Sequence, residues 1–238
     1  MEIFTMEITA ESRLRAFGES CTPGDVFHML EIAAAAHGSF LGHTRRKVLK
    51  SGALWIVASH RVQFHSVPRS GDRLKLSTWP GKTRFTFLPR HCRIEDQQGR
   101  LLIRAVTDWA LISLETRSIF PPEKAGIIME PVITGDELKP EKYIPIATAE
   151  PSFRWTVLPE EIDDNGHVNN TIYADRIAAY LTDEPAGPRL PEIRGISIQY
   201  RHELRLGDTA VIRTQRDGDR MLITGECGGR TVFCAAAE

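Results

Sequence analysis

The sequence predicts an α+β protein built from two copies of one small unit, each a helix followed by antiparallel strands. Three observations predict it. Each half of the chain has one apolar helical stretch ahead of a series of short strand-like runs. The segment VQFHSVPRSGDRLKL, from Val62, aligns without a gap to IQYRHELRLGDTAVI, from Ile198, at an offset of 136 (198 minus 62). At 238 residues the chain has room for two domains of ordinary size. In the alignment Gln63 meets Gln199, Phe64 meets Tyr200, and Gly71-Asp72 meets Gly207-Asp208.

The first helix is expected over Gly24 to Gly42. Pro23-Gly24-Asp25 supplies the turn, and Val26, Met29, Leu30, Ala33, Ala36 and Phe40 recur at helical spacing. Gly42 to Gly52 reads as a polar, basic connection. Strands are expected at Leu54–His65, Arg73–Trp79, Phe85–Glu95 and Leu101–Leu114. Phe120 to Pro145 carries five prolines and reads as a linker. The second half opens with a strand at Phe153–Leu158 and a helix at His167–Leu181, with Pro185 to Pro191 as a loop. Strands follow at Gly195–Tyr200, Thr209–Thr214, Met221–Cys227 and Arg230–Ala235. The division is therefore 1–130, a linker at 131–147, and 148–238.

Composition narrows the function. The net charge of −1 lacks the basic excess of a nucleic-acid protein. Cys21, Cys92, Cys227 and Cys234 form no CxxC pair, so neither a zinc site nor a disulfide framework is expected. The amino terminus lacks the basic and apolar regions of a leader, and no run is long enough to span a membrane. A cytoplasmic location is expected, with no metal and no cofactor; an oligomer remains open.

The segment Asp163-Asp164-Asn165-Gly166-His167-Val168-Asn169-Asn170 is a polar run that feeds into an apolar helix. Asp163, Asn165 and His167 alternate, so in an extended chain their side chains share one side. From the residues alone this is equally an elaborate N-cap with an Asn-Gly turn.

The string Asp163-x-Asn165-x-His167-Val168-Asn169-Asn170-x-x-Tyr173 resembles the active-site motif of the acyl-ACP thioesterases, including the plant plastid enzymes. The resemblance covers nearly the whole chain. It includes Trp55, Gly71-Asp72 and Thr78-Trp79 in the first half, Trp109, and Gln199-Tyr200-Arg201-His202-Glu203-Leu204 in the second. It implies a tandem (double) hot-dog fold, each half a curled antiparallel sheet wrapped around one long helix.

The resemblance further implies hydrolysis of fatty acyl-ACP to free fatty acid and holo-ACP, with acyl-CoA as the alternative substrate. It places the catalytic groups at Asp163, Asn165, His167 and Glu203. Plant members have cysteine after the glutamate and this chain has Leu204, so a thiol nucleophile at that position is excluded. Water activated by a carboxylate is expected instead, with Glu203 as base and Asp163 as its competitor. Backbone N–H groups of His167 and Val168, at the expected helix start, are the candidate oxyanion donors.

Asn169, Asn170 and Tyr173 are candidate substrate contacts, and Met29, Ala33 and Phe40 are candidates for the acyl tunnel. The segment Cys21–His28 lacks the motif, so one active site is expected. Arg45, Arg46, Lys47 and Lys50 are candidates for docking an acidic acyl carrier protein. A non-catalytic acyl-binding protein is the alternative from another class; a hot-dog dehydratase fits the His-Val-Asn-Asn string poorly.

Overall fold

The computed structural model describes residues 2–12, 19–135, 137–141, 151–183 and 192–238. Its first half runs β1 (Phe4–Thr9), α1 (Pro23–Phe40), α2 (Arg45–Lys50), β2 (Ala53–Phe64), β3 (Arg73–Pro80), β4 (Leu88–Asp96) and β5 (Leu101–Ser113). Its second half runs β6 (Pro151–Thr156), α3 (Asn170–Asp183), β7 (Gly195–Tyr200), β8 (Thr209–Asp217), β9 (Arg220–Cys227) and β10 (Arg230–Ala237). The strands form one antiparallel sheet in the order β1-β3-β4-β5-β2-β7-β10-β9-β8-β6. The order reads as the same five-strand pattern twice, reflected about the β2–β7 contact. At that seam Arg61 pairs with Ser197, which are themselves 136 apart (197 minus 61). The offset that relates the two sequence halves thus runs through the middle of their joint, as an internal twofold requires.

Joining the halves at β2 and β7 pairs two strands that would otherwise be open edges. Over the seam, Glu141 lies 3.5 Å from Arg61 and 3.2 Å from Arg220. The main core lies between the sheet and the two helices, with Val26, Phe27, Leu30 and Ala33 of α1 and Ala174, Ile177, Ala178 and Leu181 of α3 buried in it. The helices meet where the main-chain N–H of Gly24 donates to Asp175 Oδ1 at 2.7 Å. A Cβ at Gly24 would fall 2.2 Å from Asp175 Oδ2, so only glycine admits this approach.

The α+β class and tandem layout agree with expectation, and four local readings change. β1 was not foreseen; its burial alternates residue by residue, and Met6 and Ile8 are the side chains packed on the core. Gly42 to Gly52 is not a plain connection, because Thr44 caps α2 by accepting from the N–H of Lys47 at 3.3 Å and Val48 is buried beneath it. β4 starts at Leu88 rather than Phe85, since Phe85 has φ 54° and sits fully exposed in a turn closed by Arg84 and Phe87. Part of the proline-rich stretch is packed: Ala125 and Ile127 are buried in a second cluster with Leu88 and Leu111. The expected loop at Pro185 to Pro191 lies outside the described residues.

Candidate active site

The stretch between Ile162 and Val168 is a closed loop rather than an extended strand. Ile162 and Val168 form an isolated antiparallel bridge. Within it the N–H of Asp163 donates to the His167 carbonyl at 2.9 Å, and the N–H of Gly166 donates to the Asp163 carbonyl at 3.0 Å. Gly166 turns the chain at φ 82°, a left-handed conformation that glycine adopts without strain. The side chains of Asp163, Asn165 and His167 therefore meet through a tight turn, which corrects the expectation that they alternate along extended chain. Glu161 anchors the loop. Its buried carboxylate accepts from Trp155 Nε1, from the N–H of Leu158 and from Arg176 Nε, and its carbonyl accepts from the N–H of Asn169 at 2.9 Å.

The helix behind the loop starts at Asn170, three residues later than expected, because Asn169 caps it: its side-chain oxygen accepts from the Thr171 N–H at 3.0 Å. This moves the oxyanion candidates. The N–H of Val168 donates to the Leu204 carbonyl at 2.8 Å and is committed to holding the loop against the chain after β7. Val168 is thus withdrawn as an oxyanion donor. The main-chain N–H of His167 and that of Asn170, the first helical residue, have no acceptor among the described residues. Both residues line the cavity described next.

That cavity, of about 980 Å³, opens between the two halves. Asp163, Asn165, His167 and Glu203 all line it, as do Asn169, Asn170 and Tyr173. His167 sits between the two carboxylates, with Nδ1 3.6 Å from Asp163 Oδ1 and Nε2 3.5 Å from Glu203 Oε1. Asn165 is held by its own loop, its Nδ2 donating to Asp163 Oδ2 at 3.1 Å. Trp55, Val57, Trp109 and Ile112 of the first half give the cavity an apolar wall.

Three expected tunnel residues are not there. Met29 and Ala33 are buried in the main core, and Phe40 is 76% exposed at the far end of α1; none of the three lines the cavity. The helix face carrying Met29 and Ala33 packs on the sheet, whereas Glu31 points into the cavity and accepts from Asn170 Nδ2 at 2.6 Å.

Two arginines of the first half reach the candidate site. Arg45 Nη2 donates to Asn165 Oδ1 at 3.1 Å, and Arg117 Nη2 pairs with Glu203 Oε1. Arg117 was not anticipated: it follows β5 in a turn, at φ 55°, 86 residues from its partner, and carries no motif. Arg46, Lys47 and Lys50 stand exposed on α2 next to Arg45.

Leu204 is fully buried, and none of the four cysteines lines the cavity. Burial pushes the thiols of Cys21 and Cys92 up to about 12, so neither is a thiolate near neutral pH. Among the described residues no group of His, Cys, Asp and Glu is arranged to hold a metal ion, and no helix is long and apolar enough to cross a membrane.

The model of the acyl-ACP thioesterase N-terminal domain matches residues 20–124, and that of the C-terminal domain matches residues 148–227. A chloroplastic acyl-[acyl-carrier-protein] hydrolase of Cuphea viscosissima is 29% identical over 192 residues, covering 74% of this chain and 45% of that protein. A chloroplastic dodecanoyl-[acyl-carrier-protein] hydrolase of Cinnamomum camphora is 25% identical over 201 residues, covering 75% of this chain and 50% of that protein. The chain thus spans about half the length of the curated relatives it matches.

The fold is shared with an acyl-ACP thioesterase from Bacteroides thetaiotaomicron, with a TM-score of 0.82 at 20% identity over 99% of this chain and 96% of that one. It is shared also with the 12:0-ACP thioesterase from Umbellularia californica, with a TM-score of 0.75 at 20% identity over the same shares of each chain. With both family models matched in order along one tandem hot-dog sheet, the chain belongs to the acyl-ACP thioesterase family.

Proposed function

We propose that the protein hydrolyses the thioester of fatty acyl-ACP, releasing free fatty acid and holo-ACP. The observation that carries this reading is the convergence of Asp163, Asn165, His167 and Glu203 on one cavity with an apolar wall. The named relatives, hydrolases of acyl-[acyl-carrier-protein], point to the same chemistry. In this reading the division falls at 1–130 and 148–238. The second half supplies the reacting groups, and the first supplies the wall and two arginines.

The distances support the following mechanism. Glu203 takes a proton from water, and His167, within 3.6 Å of both carboxylates, moves or holds that proton. Asp163 orients the ring and fixes Asn165. The developing oxyanion is received by the N–H of Asn170, which has no acceptor among the described residues, at the positive end of α3, in place of Val168. Expulsion of the thiol completes the reaction with water as the only co-reactant. Arg45, Arg46, Lys47 and Lys50 suit docking of an acidic carrier, because α2 is exposed and its Arg45 already touches the catalytic loop.

The test is release of free acid from acyl-ACPs and acyl-CoAs of graded length, beside Glu203→Ala and Asn165→Ala of confirmed folding. A fall of about a hundredfold in either variant supports the scheme. No release from any carrier, with acyl binding retained, replaces it with an acyl-binding protein.

A further inference from the structure

The helices of the two halves are clamped together at two points. Near the start of α1 the N–H of Gly24 donates to Asp175, in the second turn of α3. Two turns further along α1, Glu31 Oε1 accepts from Nδ2 of Asn170, the first residue of α3, at 2.6 Å. The two helices therefore run in opposite senses, and the second clamp falls on the start of α3. The first clamp is buried, whereas Glu31 and Asn170 both line the cavity.

The bond between Glu31 and Asn170 has a fixed polarity. A carboxylate only accepts, so the Asn170 amide turns its NH2 group to Glu31 and its oxygen the other way. That oxygen, Oδ1, is buried and has no hydrogen-bond partner among the described residues. A buried acceptor left unpaired is unfavourable, and the contact with Glu31 offsets it. The other oxygen of Glu31 lies 3.8 Å from Nδ1 of His28, one turn back on α1. The rest of Asn170 is held from the second half. Its carbonyl accepts from Tyr200 Oη at 2.9 Å, and the N–H of Asn169 before it donates to the Glu161 carbonyl. Among the described residues, Glu31 is the one group of the first half bonded to Asn170.

We propose that Glu31 is a positioning residue for thioester hydrolysis: from the first half it fixes the first turn of α3, and so aims the Asn170 N–H at the thioester carbonyl. This role rests on the thioesterase reading and adds a residue that the motif does not contain. An N–H stabilises an oxyanion only when it already points to where the charge develops. Displacing such a group by about 1 Å can cost about a hundredfold in rate. The charge of Glu31 is not the useful part, since a negative group repels a developing oxyanion. What Glu31 supplies is an acceptor at one place, set by the reach of its side chain.

The experiment measures kcat and KM on acyl-ACP for the intact protein and three variants of confirmed folding. Glu31→Gln keeps an acceptor in place and removes the charge. Glu31→Asp keeps the charge and withdraws it by one methylene. Glu31→Ala removes both. The expected kcat is within about threefold of the unaltered protein for Glu31→Gln. It is about tenfold lower for Glu31→Asp and Glu31→Ala, with KM little changed in all three. A trifluoromethyl ketone of the same alkyl chain, hydrated to a gem-diol, mimics the tetrahedral intermediate. It should bind about tenfold less tightly to Glu31→Ala, while a thioether analogue, which has no carbonyl oxygen, binds as before.

Full kcat in Glu31→Ala overturns the role, even if the melting temperature falls, because the contact is then structural only. A kcat lost in Glu31→Gln also overturns it, since charge or proton transfer would then matter rather than position. If Glu31→Ala does not fold, the contrast between Glu31→Gln and Glu31→Asp decides. Absence of turnover by the unaltered protein with any acyl thioester overturns the thioesterase reading, and the role of Glu31 falls with it. Turnover with a kcat indifferent to Glu31 overturns that role alone.

Discussion

The starts of α1 and α3 occupy equivalent places in the two halves and spend their polar groups differently. At α1 every early main-chain donor is used or missing. Thr22 and Asp25 cap each other reciprocally, Pro23 has no N–H, and the N–H of Gly24 donates to Asp175. Thr22 and Asp25 are buried, and nothing is left for a ligand. At α3 the Asn169 cap satisfies Thr171, the N–H of Asn170 has no acceptor among the described residues, and the preceding loop brings His167 between two carboxylates. One helix start is closed by its own caps, and the other keeps an N–H with no acceptor among the described residues. A duplicated fold permits this division, because only one copy has to keep each property.

The largest expected effect comes from His167→Ala. It should lower activity by about a hundredfold while leaving the melting temperature nearly unchanged. A melting temperature that falls with the activity would remove the contrast between the two helix starts.

Acid should act next, and on the first half. His37 is buried beside Arg90 and His60 is buried under Phe27; burial pushes both down to about 4, with Arg90 adding to the effect at His37. Unfolded, each binds a proton near its ordinary 6.5, so the unfolded chain holds more protons between those values. Stability is then full above about pH 6.5 and falls as pH drops toward 4, with a limiting slope of about 1.4 kcal/mol per pH unit for each histidine. Denaturant titrations at pH 7.5, 6.5 and 5.5 read this directly. A flat profile, or an equal slope in His60→Gln, would count against it.

Arg117→Met sharpens the comparison by cutting a contact made across the halves. Glu203 loses the cation that fixes it, and kcat should drop by about tenfold, with Arg117→Lys recovering part of the loss. The smallest effect is expected from Thr22→Ala. Loss of one helix cap costs about 1 kcal/mol of stability, and kcat should hold, since no reacting group sits at that end. A kcat loss there would show that the closed helix start also serves catalysis.

Local pattern made much of this legible. Gly195–Tyr200 appears as a strand with the bounds read from the sequence, because alternating apolar residues between turn signals suffice to define it. The loop from Asp163 to His167 was legible as a motif but not as a shape, since Gly166 bends a string that reads as extended. β1 is hard to read from the sequence because it is short and its alternation is weak, with Glu7 on the exposed face opposite Lys75 of β3.

The sequence by itself determined the duplication and the α+β class, and its resemblance to a known motif singled out Asp163, Asn165, His167 and Glu203 as candidates. Periodicity, turn residues and a local motif are written within a few residues of one another. Only the tertiary structure decided that Met29 and Ala33 face the core while Glu31 faces the cavity, that Val168 is already bonded, and that Arg117 meets Glu203. Each of these depends on where the second half lies against the first. Contacts between residues 86 or more apart, such as Arg117 with Glu203 and Arg45 with Asn165, are set by sheet register and the angle of the seam, which no local stretch of sequence encodes.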